Sequence, residues 1–242
     1  MDLLIDIGNT NLKWAQCQAG VVGEMQTVRH HGGLPIDVHA AWEYLDTPRR
    51  VLVGSVGGEA VANALKRTCR SRWRIDPRFA RTELFAYGVT VAYDRPDRLG
   101  VDRWLAMLAA HSCCAGPVLV VDAGTAVTFD MLRSDGHHIG GLILPGVDMM
   151  RSILLSGTKI PNKELEETAG PWAVDTATAI AAGSIQAPAA LVERLHDRLA
   201  AEVGGDPSII LTGGDAERLL PAIGRPAAHR PDLVLQGLAL LV

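Results

Sequence analysis

Leu3-Leu4-Ile5-Asp6-Ile7-Gly8-Asn9-Thr10 and Leu119-Val120-Val121-Asp122-Ala123-Gly124-Thr125-Ala126-Val127-Thr128 are two copies of one pattern, placed about half a chain apart. In each copy an apolar strand runs into Asp-x-Gly and a small polar residue. The chain then turns straight back into a second strand, through Asn11, Leu12, Lys13, Trp14 and Ala15 in the first copy and through Ala126 to Phe129 in the second. Such a hinge offers a tight glycine turn where backbone can approach a phosphate, hydroxyl or amide donors, and one carboxylate at the strand end for a cation. A lone Asp-Gly is ordinary turn chemistry. Two copies in matching contexts read as a clamp on the phosphates of a nucleotide.

The flanking residues separate this pattern from better-known phosphate loops. In a dinucleotide fingerprint or a P-loop the glycines lead into a helix whose N-terminus holds the phosphate. Here the residues after Gly8 and Gly124 alternate or are β-branched, which predicts a strand and therefore a hairpin. No Gly-x-x-x-x-Gly-Lys-Ser/Thr occurs.

The composition suits a compact α/β protein: 242 residues, 48% hydrophobic and 21% charged, enough to bury a sizeable core. A net charge of −4 argues against nucleic acid as a partner. The arginine-rich stretch Arg70, Arg72, Arg74, Arg78 and Arg81 reads as a solvated edge or a partner contact. The four cysteines, Cys17, Cys69, Cys113 and Cys114, form no Cys-x-x-Cys spacing and suit a reducing compartment. With no signal-peptide pattern and no apolar run long enough for a membrane span, a cytoplasmic protein without membrane attachment is expected. The pairs His30-His31 and His137-His138 point their members to opposite faces of a strand, which disfavours a metal site there.

Strands are predicted near 2–7, 11–17, 20–28 and 50–54, and a helix near 57–70 from Val61, Leu65 and Cys69. A Pro-, Asp- and Arg-rich stretch over 76–99 is irregular, and a helix follows near 101–114. Strands near 117–122, 126–132 and 137–144 and helices near 175–202 and 231–241 complete the chain. The same order in both halves indicates a duplicated α/β domain, with lobes 1–115 and 116–242 divided at Cys114-Ala115-Gly116-Pro117. A third glycine feature, Ile209-Ile210-Leu211-Thr212-Gly213-Gly214-Asp215, leaves room for a flat ring against backbone at a strand end.

Taken in order, Asp-x-Gly-Asn-Thr (6–10), Asp-x-Gly-Thr-Ala-x-Thr (122–128) and Thr-Gly-Gly (212–214) resemble the phosphate and adenosine motifs of the acetate and sugar kinase, heat-shock protein and actin superfamily. Between them, Tyr93-x-x-Pro96-x-x-Leu99-Gly100-x-Asp102-Arg103 is similar to the substrate signature of the type III pantothenate kinases. Gly140-Gly141-x-Ile143-x-Pro145-Gly146 and Asp232-Leu233-x-Leu235-x-Gly237-Leu238 also match that family. Asp175 and Gln236 depart from it, standing where Asn or Ser and Glu are more common.

The resemblance implies duplicated ribonuclease H-like (actin-like ATPase) domains with a nucleotide cleft between them, and transfer of the γ-phosphoryl of ATP to the primary alcohol of pantothenate, the first step towards coenzyme A. It implies that Asp6, Gly8, Asn9, Thr10, Asn11, Lys13, Gly124, Thr125, Thr212, Gly213 and Gly214 bind the nucleotide. Tyr93, Gly100, Val101, Asp102, Arg103 and Thr176 would contact pantothenate, Thr176 from the second subunit of a homodimer with a shared active site. Mg²⁺ would sit near Asp6, and K⁺ or NH₄⁺ at Asp122.

The chemistry of the residues agrees. Two carboxylates and a triphosphate repel by several kcal/mol unless cations intervene. Asp102, following Gly100 and Val101 at a helix start beside Arg103, stays ionised and is the candidate to receive the alcohol proton. Arg103 presents a planar fork for a carboxylate. The ordinary alternatives are an N-cap for Asp102 or Thr176, a surface ion pair for Arg103 and a core role for Tyr93.

Overall fold

The computed structural model describes residues 1–160 and 172–242. The chain divides into two compact units, Met1–Cys113 together with Asp232–Val242, and Cys114–Pro231.

In the first unit the elements are β1 (Asp2–Ile7), β2 (Asn11–Gln18), β3 (Val21–Val22), β4 (Gln26–Arg29), α1 (Ile36–Glu43), β5 (Val51–Ser55), α2 (Glu59–Trp73), β6 (Arg78–Phe79), the β7 (Phe85–Ala86) and β8 (Val89–Thr90) hairpin, and α3 (Val101–Cys113). A C-terminal helix, Leu233–Leu240, joins them. The sheet order is β3-β2-β1-β5-β6, with β4 also paired to β2. Strand β1 is antiparallel to β2 and parallel to β5.

Every residue of β1 is buried, so its period of two decides which face each side chain takes. Leu3, Ile5 and Ile7 pack with Leu12 against Val38 and Trp42 of α1 and Val61, Leu65, Cys69 and Trp73 of α2. Helix α2 carries those apolar residues at every fourth position, which lines them along one stripe. Trp42 closes the cluster with ring centroids 6.1 Å from Trp14 and 5.3 Å from Trp73. Burial pushes the Cys69 thiol up to about 12, as expected of an inert core cysteine.

On the other face, Gly54 of β5 meets Leu105 of α3 and Leu238 of the C-terminal helix. The two helices cross closely at Gly237, where an added Cβ would stand 2.1 Å from the Leu105 carbonyl oxygen. The expected second lobe, 116–242, is therefore corrected at its end: the C-terminal helix packs in the first unit. Leu233, Val234, Leu235 and Leu238 are all buried, and a helix apolar on most sides does not announce which sheet it covers.

The second unit comprises β9 (Val118–Ala123), β10 (Ala126–Leu132), β11 (His138–Pro145), α4 (Val147–Ser156), α5 (Thr176–Val203), β12 (Ser208–Thr212), α6 (Ala216–Leu219) and β13 (Ala228–His229). Its order, β11-β10-β9-β12-β13, repeats that of the first unit, again with β9 antiparallel to the hairpin strand and parallel to the next. Leu119, Val121, Ala123, Val127 and Phe129 pack against Ala189, Val192, Leu195 and Leu199 of α5 and Ala216 and Leu219 of α6. The duplicated topology is that of the ribonuclease H-like, actin-like ATPase fold.

Two local features differ from expectation and one agrees with it. The strand expected over 20–28 is two strands, broken where Gly23 donates to the Gln16 carbonyl. Helices α1 and α4 are short pieces that the periodicity did not reveal. The histidine pairs alternate as expected: His30 and His138 are buried while His31 and His137 are exposed, and His138 lies 3.1 Å from Asp130.

Asp2 is a buried charge of the first sheet, at the start of β1. Both Arg50 nitrogens reach its carboxylate at 3.0 Å, and Arg49 adds bonds of 3.1 and 3.3 Å. The Arg50 bonds, opposed by burial and reinforced by Arg49, hold the Asp2 carboxyl well below the usual carboxylate range. A depressed native value stabilises the fold above the unfolded value of about 3.9 and loses that contribution as pH falls through the lower native one. Asp2→Asn is expected to cost on the order of 2 kcal/mol near pH 7, with Arg50 supplying most of it because Arg49 is 70% exposed. Thermal melts of both proteins should converge as the pH drops below about 4; a constant gap would refute the pairing.

Candidate phosphate and substrate site

Asp6 and Asp122 hold the same place in the two units, Asp6 on the face away from α1 and α2 and Asp122 on the face away from α5 and α6, because Leu3, Ile5 and Ile7 in one strand and Leu119, Val121 and Ala123 in the other pack against those helices. Across the first sheet Asp6 pairs with Lys13 on β2 and with Gly54 on β5. Cross-strand partners share a face, so Lys13 and Asp6 stand side by side on the same face of the sheet. Asp6 is 7% exposed and Lys13 is half-buried.

The first hinge is closed by the Gly8 amide donating to the Asn11 carbonyl at 3.0 Å. Asn9 at its tip is exposed and Thr10 half-buried. The end of β5 is tied to the same point: the amides of Val56 and Gly57 both donate to the Ile7 carbonyl at 3.0 Å. An added Cβ at Gly57 would stand 2.8 Å from the Gly8 oxygen, so that position has no room for a side chain. Gly57 is a site residue that sequence reasoning missed, although Gly54-Ser55-Val56-Gly57-Gly58 directly after an apolar strand was a usable signal.

Val56 in turn neighbours Gly100, and a Cβ at Gly100 would approach Asp102 Oδ1 at 2.6 Å. Asp102 is half-buried in the first turn of α3, where Oδ1 accepts from the Arg103 amide at 2.8 Å. The buried Val101 begins that helix. Arg103 is not a surface residue: it is 6% exposed and its Nη1 donates to the Tyr93 hydroxyl at 3.3 Å. The first unit therefore brings together Asp6, the Gly8–Asn11 hinge, Lys13, Gly57 and the Gly100–Arg103 turn, with Tyr93 on Arg103.

In the second unit the β9–β10 hinge is closed by the Gly124 amide on the Ala126 carbonyl at 2.9 Å. Asp122 pairs with Thr128 on β10 and Thr212 on β12, giving one carboxylate flanked by two hydroxyls on one face. Thr212 is 1% exposed, and its Oγ1 has no hydrogen-bond partner among the described residues. A buried hydroxyl left in that state is costly unless something else satisfies it. Gly213 follows at φ +91°, and a Cβ there would lie 2.2 Å from the Ala123 oxygen and 2.4 Å from Asp122 Oδ1. The exposed Gly214 and the Asp215 amide, which donates to the Ala123 carbonyl at 2.8 Å, complete the turn. Gly146 at the start of α4 donates to the Thr125 carbonyl at 2.9 Å, and Arg218 of α6 bridges Asp215 and Asp148 of α4 at 2.7 and 3.0 Å.

Thr176 lies elsewhere in the second unit. Asp175, not Thr176, caps α5, its Oδ1 accepting from the Ala177 and Thr178 amides at 2.9 and 3.1 Å. The departure from the family pattern at Asp175 is thus a good helix cap. Gln236 similarly finds a local partner, donating to Asp232 Oδ1 at 2.8 Å. The exposed Thr176 lines a groove of about 740 Å³ between α4 and α5, with Met150, Leu154 and Ile180 as its apolar wall and the buried Arg151 bonded to Ser184 Oγ at 2.8 Å.

No group of three or more His, Cys, Asp or Glu among the described residues converges as a protein-only metal cage. A nucleotide-borne cation fits better, since Mg²⁺ bound with phosphates needs only one or two protein carboxylates. Asp6 supplies one such carboxylate beside a backbone cradle. At Asp122 a single carboxylate with the unsatisfied Thr212 hydroxyl suits a monovalent cation with oxygen ligands. No helix of the described residues is long and apolar enough to cross a membrane.

The profile of the type III pantothenate kinase family matches residues 2–198 of this chain. The type III pantothenate kinase of Nitrosococcus oceani is 38% identical over 246 residues, covering 99% of this chain and 92% of the relative. Among solved structures, a conserved Baf family protein from Campylobacter jejuni superposes with a TM-score of 0.63 at 20% identity, covering 99% of this chain and 96% of that one. The (R)-2-hydroxyglutaryl-CoA dehydratase component A of Acidaminococcus fermentans gives 0.58 at 16% identity, over 100% and 96% of the two chains. At those identities the two structures speak for the fold, while the full-length sequence match speaks for the family: this chain belongs to the type III pantothenate kinases.

Proposed function

We propose that this protein phosphorylates pantothenate on its primary alcohol with ATP, giving 4'-phosphopantothenate and ADP. The observation that carries the reading is the unbroken run in the first unit from the Gly8 hinge through Val56 and Gly57 to Gly100 and Asp102, which sets a phosphate cradle beside a candidate proton acceptor. Phosphoryl transfer through a loose transition state asks the protein mainly for positioning and charge neutralisation, and a carboxylate is an adequate acceptor for a proton that leaves late.

The residues take roles by their chemistry. The amides and hydroxyls of Gly8 to Asn11 and Lys13 hold phosphate oxygens, Asp6 holds Mg²⁺, and Gly124 and Thr125 add donors. Thr212, Gly213 and Gly214 leave a side-chain-free surface for adenosine. Arg103, buried and oriented by Tyr93, pairs with the pantothenate carboxylate, and the Gly100–Val101 turn sets Asp102 towards the alcohol.

A second copy of the chain covers the α4–α5 groove in this reading. Support comes from exposed apolar side chains, Met149, Ile153 and Leu154 of α4, Ile143 on the edge strand β11, and Trp172 at 88% exposure. Thr176 lies on that surface and would reach pantothenate held by the partner.

Three outcomes are expected. Asp102→Asn should fold normally and lose about 10²–10⁴ in kcat with little change in ATP binding; near-normal turnover would remove Asp102 from the chemistry. Arg103→Lys should raise the KM for pantothenate, because a point charge replaces a fork, and an unchanged KM would make its role structural. In a coupled ADP-release assay, activity should be low in sodium and rise with potassium or ammonium, and Asp122→Ala should abolish that response. Full activity without potassium, or in a species that light scattering identifies as a monomer, would refute the cation or the dimer.

A further inference from the structure

His30, the first residue beyond β4, is 6% exposed and makes three hydrogen bonds, two of them to the first hinge. Its backbone amide donates to the Thr10 carbonyl at 3.0 Å. Its ring Nε2 lies 2.8 Å from the Gly8 carbonyl oxygen, and its Nδ1 lies 3.3 Å from the Gly32 amide. Gly32 is in the left-handed region at φ +84°, which redirects the chain after that amide. An amide N–H only donates, so Nδ1 carries no proton and accepts; Nε2 therefore carries the proton and donates to Gly8. The network thus gives the two ring nitrogens opposite roles, Nδ1 as acceptor and Nε2 as donor.

The consequence runs through peptide planarity. The Gly8 carbonyl and the Asn9 amide belong to one trans peptide, whose C=O and N–H point in opposite directions. Holding the Gly8 oxygen against His30 therefore aims the Asn9 N–H away from His30, at the exposed tip of the hinge. We propose that His30 is a positioning residue for phosphoryl transfer, orienting the peptide plane whose Asn9 amide meets the nucleotide phosphate. It touches no substrate itself. Gly57, where an added Cβ would stand 2.8 Å from the same Gly8 oxygen, leaves that peptide room to take this orientation. This inference rests on the reading of Gly8 to Asn11 as the phosphate hinge.

The full-length chain carrying His30→Ala, His30→Asn or His30→Gln tests it. Gln places an amide N–H the same number of bonds from Cβ as Nε2 and can restore the bond to Gly8, whereas Asn reaches only the Nδ1 position. Ala and Asn should each lower kcat/KM for ATP by about tenfold, the scale of one lost hydrogen bond with some loss of alignment, with the KM for pantothenate unchanged. Gln should recover activity to within about threefold of the parent, as expected when the oriented hydrogen bond is regained. Equal losses in Asn and Gln, or losses that track the melting temperature and not ATP kinetics, would overturn the proposal. Thr10→Ala and Lys13→Ala separate the two levels. If they weaken ATP use while the His30 variants do not, the positioning role fails and the hinge assignment stands. If they leave ATP kinetics untouched, the hinge assignment fails and takes the His30 proposal with it.

Discussion

A strand buried on both faces must divide its side chains between two environments, and the period of two leaves no freedom in the division. In β1 the face under α1 and α2 takes Leu3, Ile5 and Ile7, so Asp2, Leu4 and Asp6 go to the other face. In β9 the same division sends Val118, Val120 and Asp122 away from α5 and α6. A slip of one residue would place an aspartate in a hydrocarbon cluster and a leucine at the strand end. The core thus sets the register, and the register sets where each carboxylate stands.

The turns after those strands depend on what is missing as much as on what is present. Because the chain reverses into a hairpin and not into a helix, the strand-end backbone stays open for other segments to approach. Gly57 fills that opening in the first unit and Gly213 in the second, each so close to a hinge carbonyl that a methyl group would collide with backbone. The polar groups left there are handled differently in the two units. His30 takes up the carbonyls of the first hinge, whereas the second carries the buried Thr212 hydroxyl beside Asp122.

Several residues of the candidate site were legible because their chemistry is local. Asp6, Asp122 and the Thr212–Gly214 turn stand at ends of apolar runs, where strand termination and glycine punctuation can be read directly. Asp102 and Arg103 stand at a helix start, also a local signal. Three features were not legible. The burial of Arg103 beneath Tyr93 depends on how the irregular 76–99 stretch folds back on α3. Gly57 owes its role to the spacing between parallel strands β1 and β5, which have more than forty residues between them. His30 looked like half of a paired-histidine motif, and only the fold of β4 beside β2 brings its ring to Gly8.

The sequence by itself determined the two hinges, the order of elements in each unit and the membership of a kinase family, because periodicity, turn chemistry and motif order are properties of neighbours along the chain. Tertiary structure alone decided that the C-terminal helix belongs to the first unit, that Arg103 is buried, that Asp175 and not Thr176 caps α5, and that the His30 ring meets the Gly8 carbonyl. Each of these rests on a contact between segments distant in sequence or on the competition of adjacent residues for one backbone position. Side-chain type says what such a residue can do, and packing says which of its partners it meets.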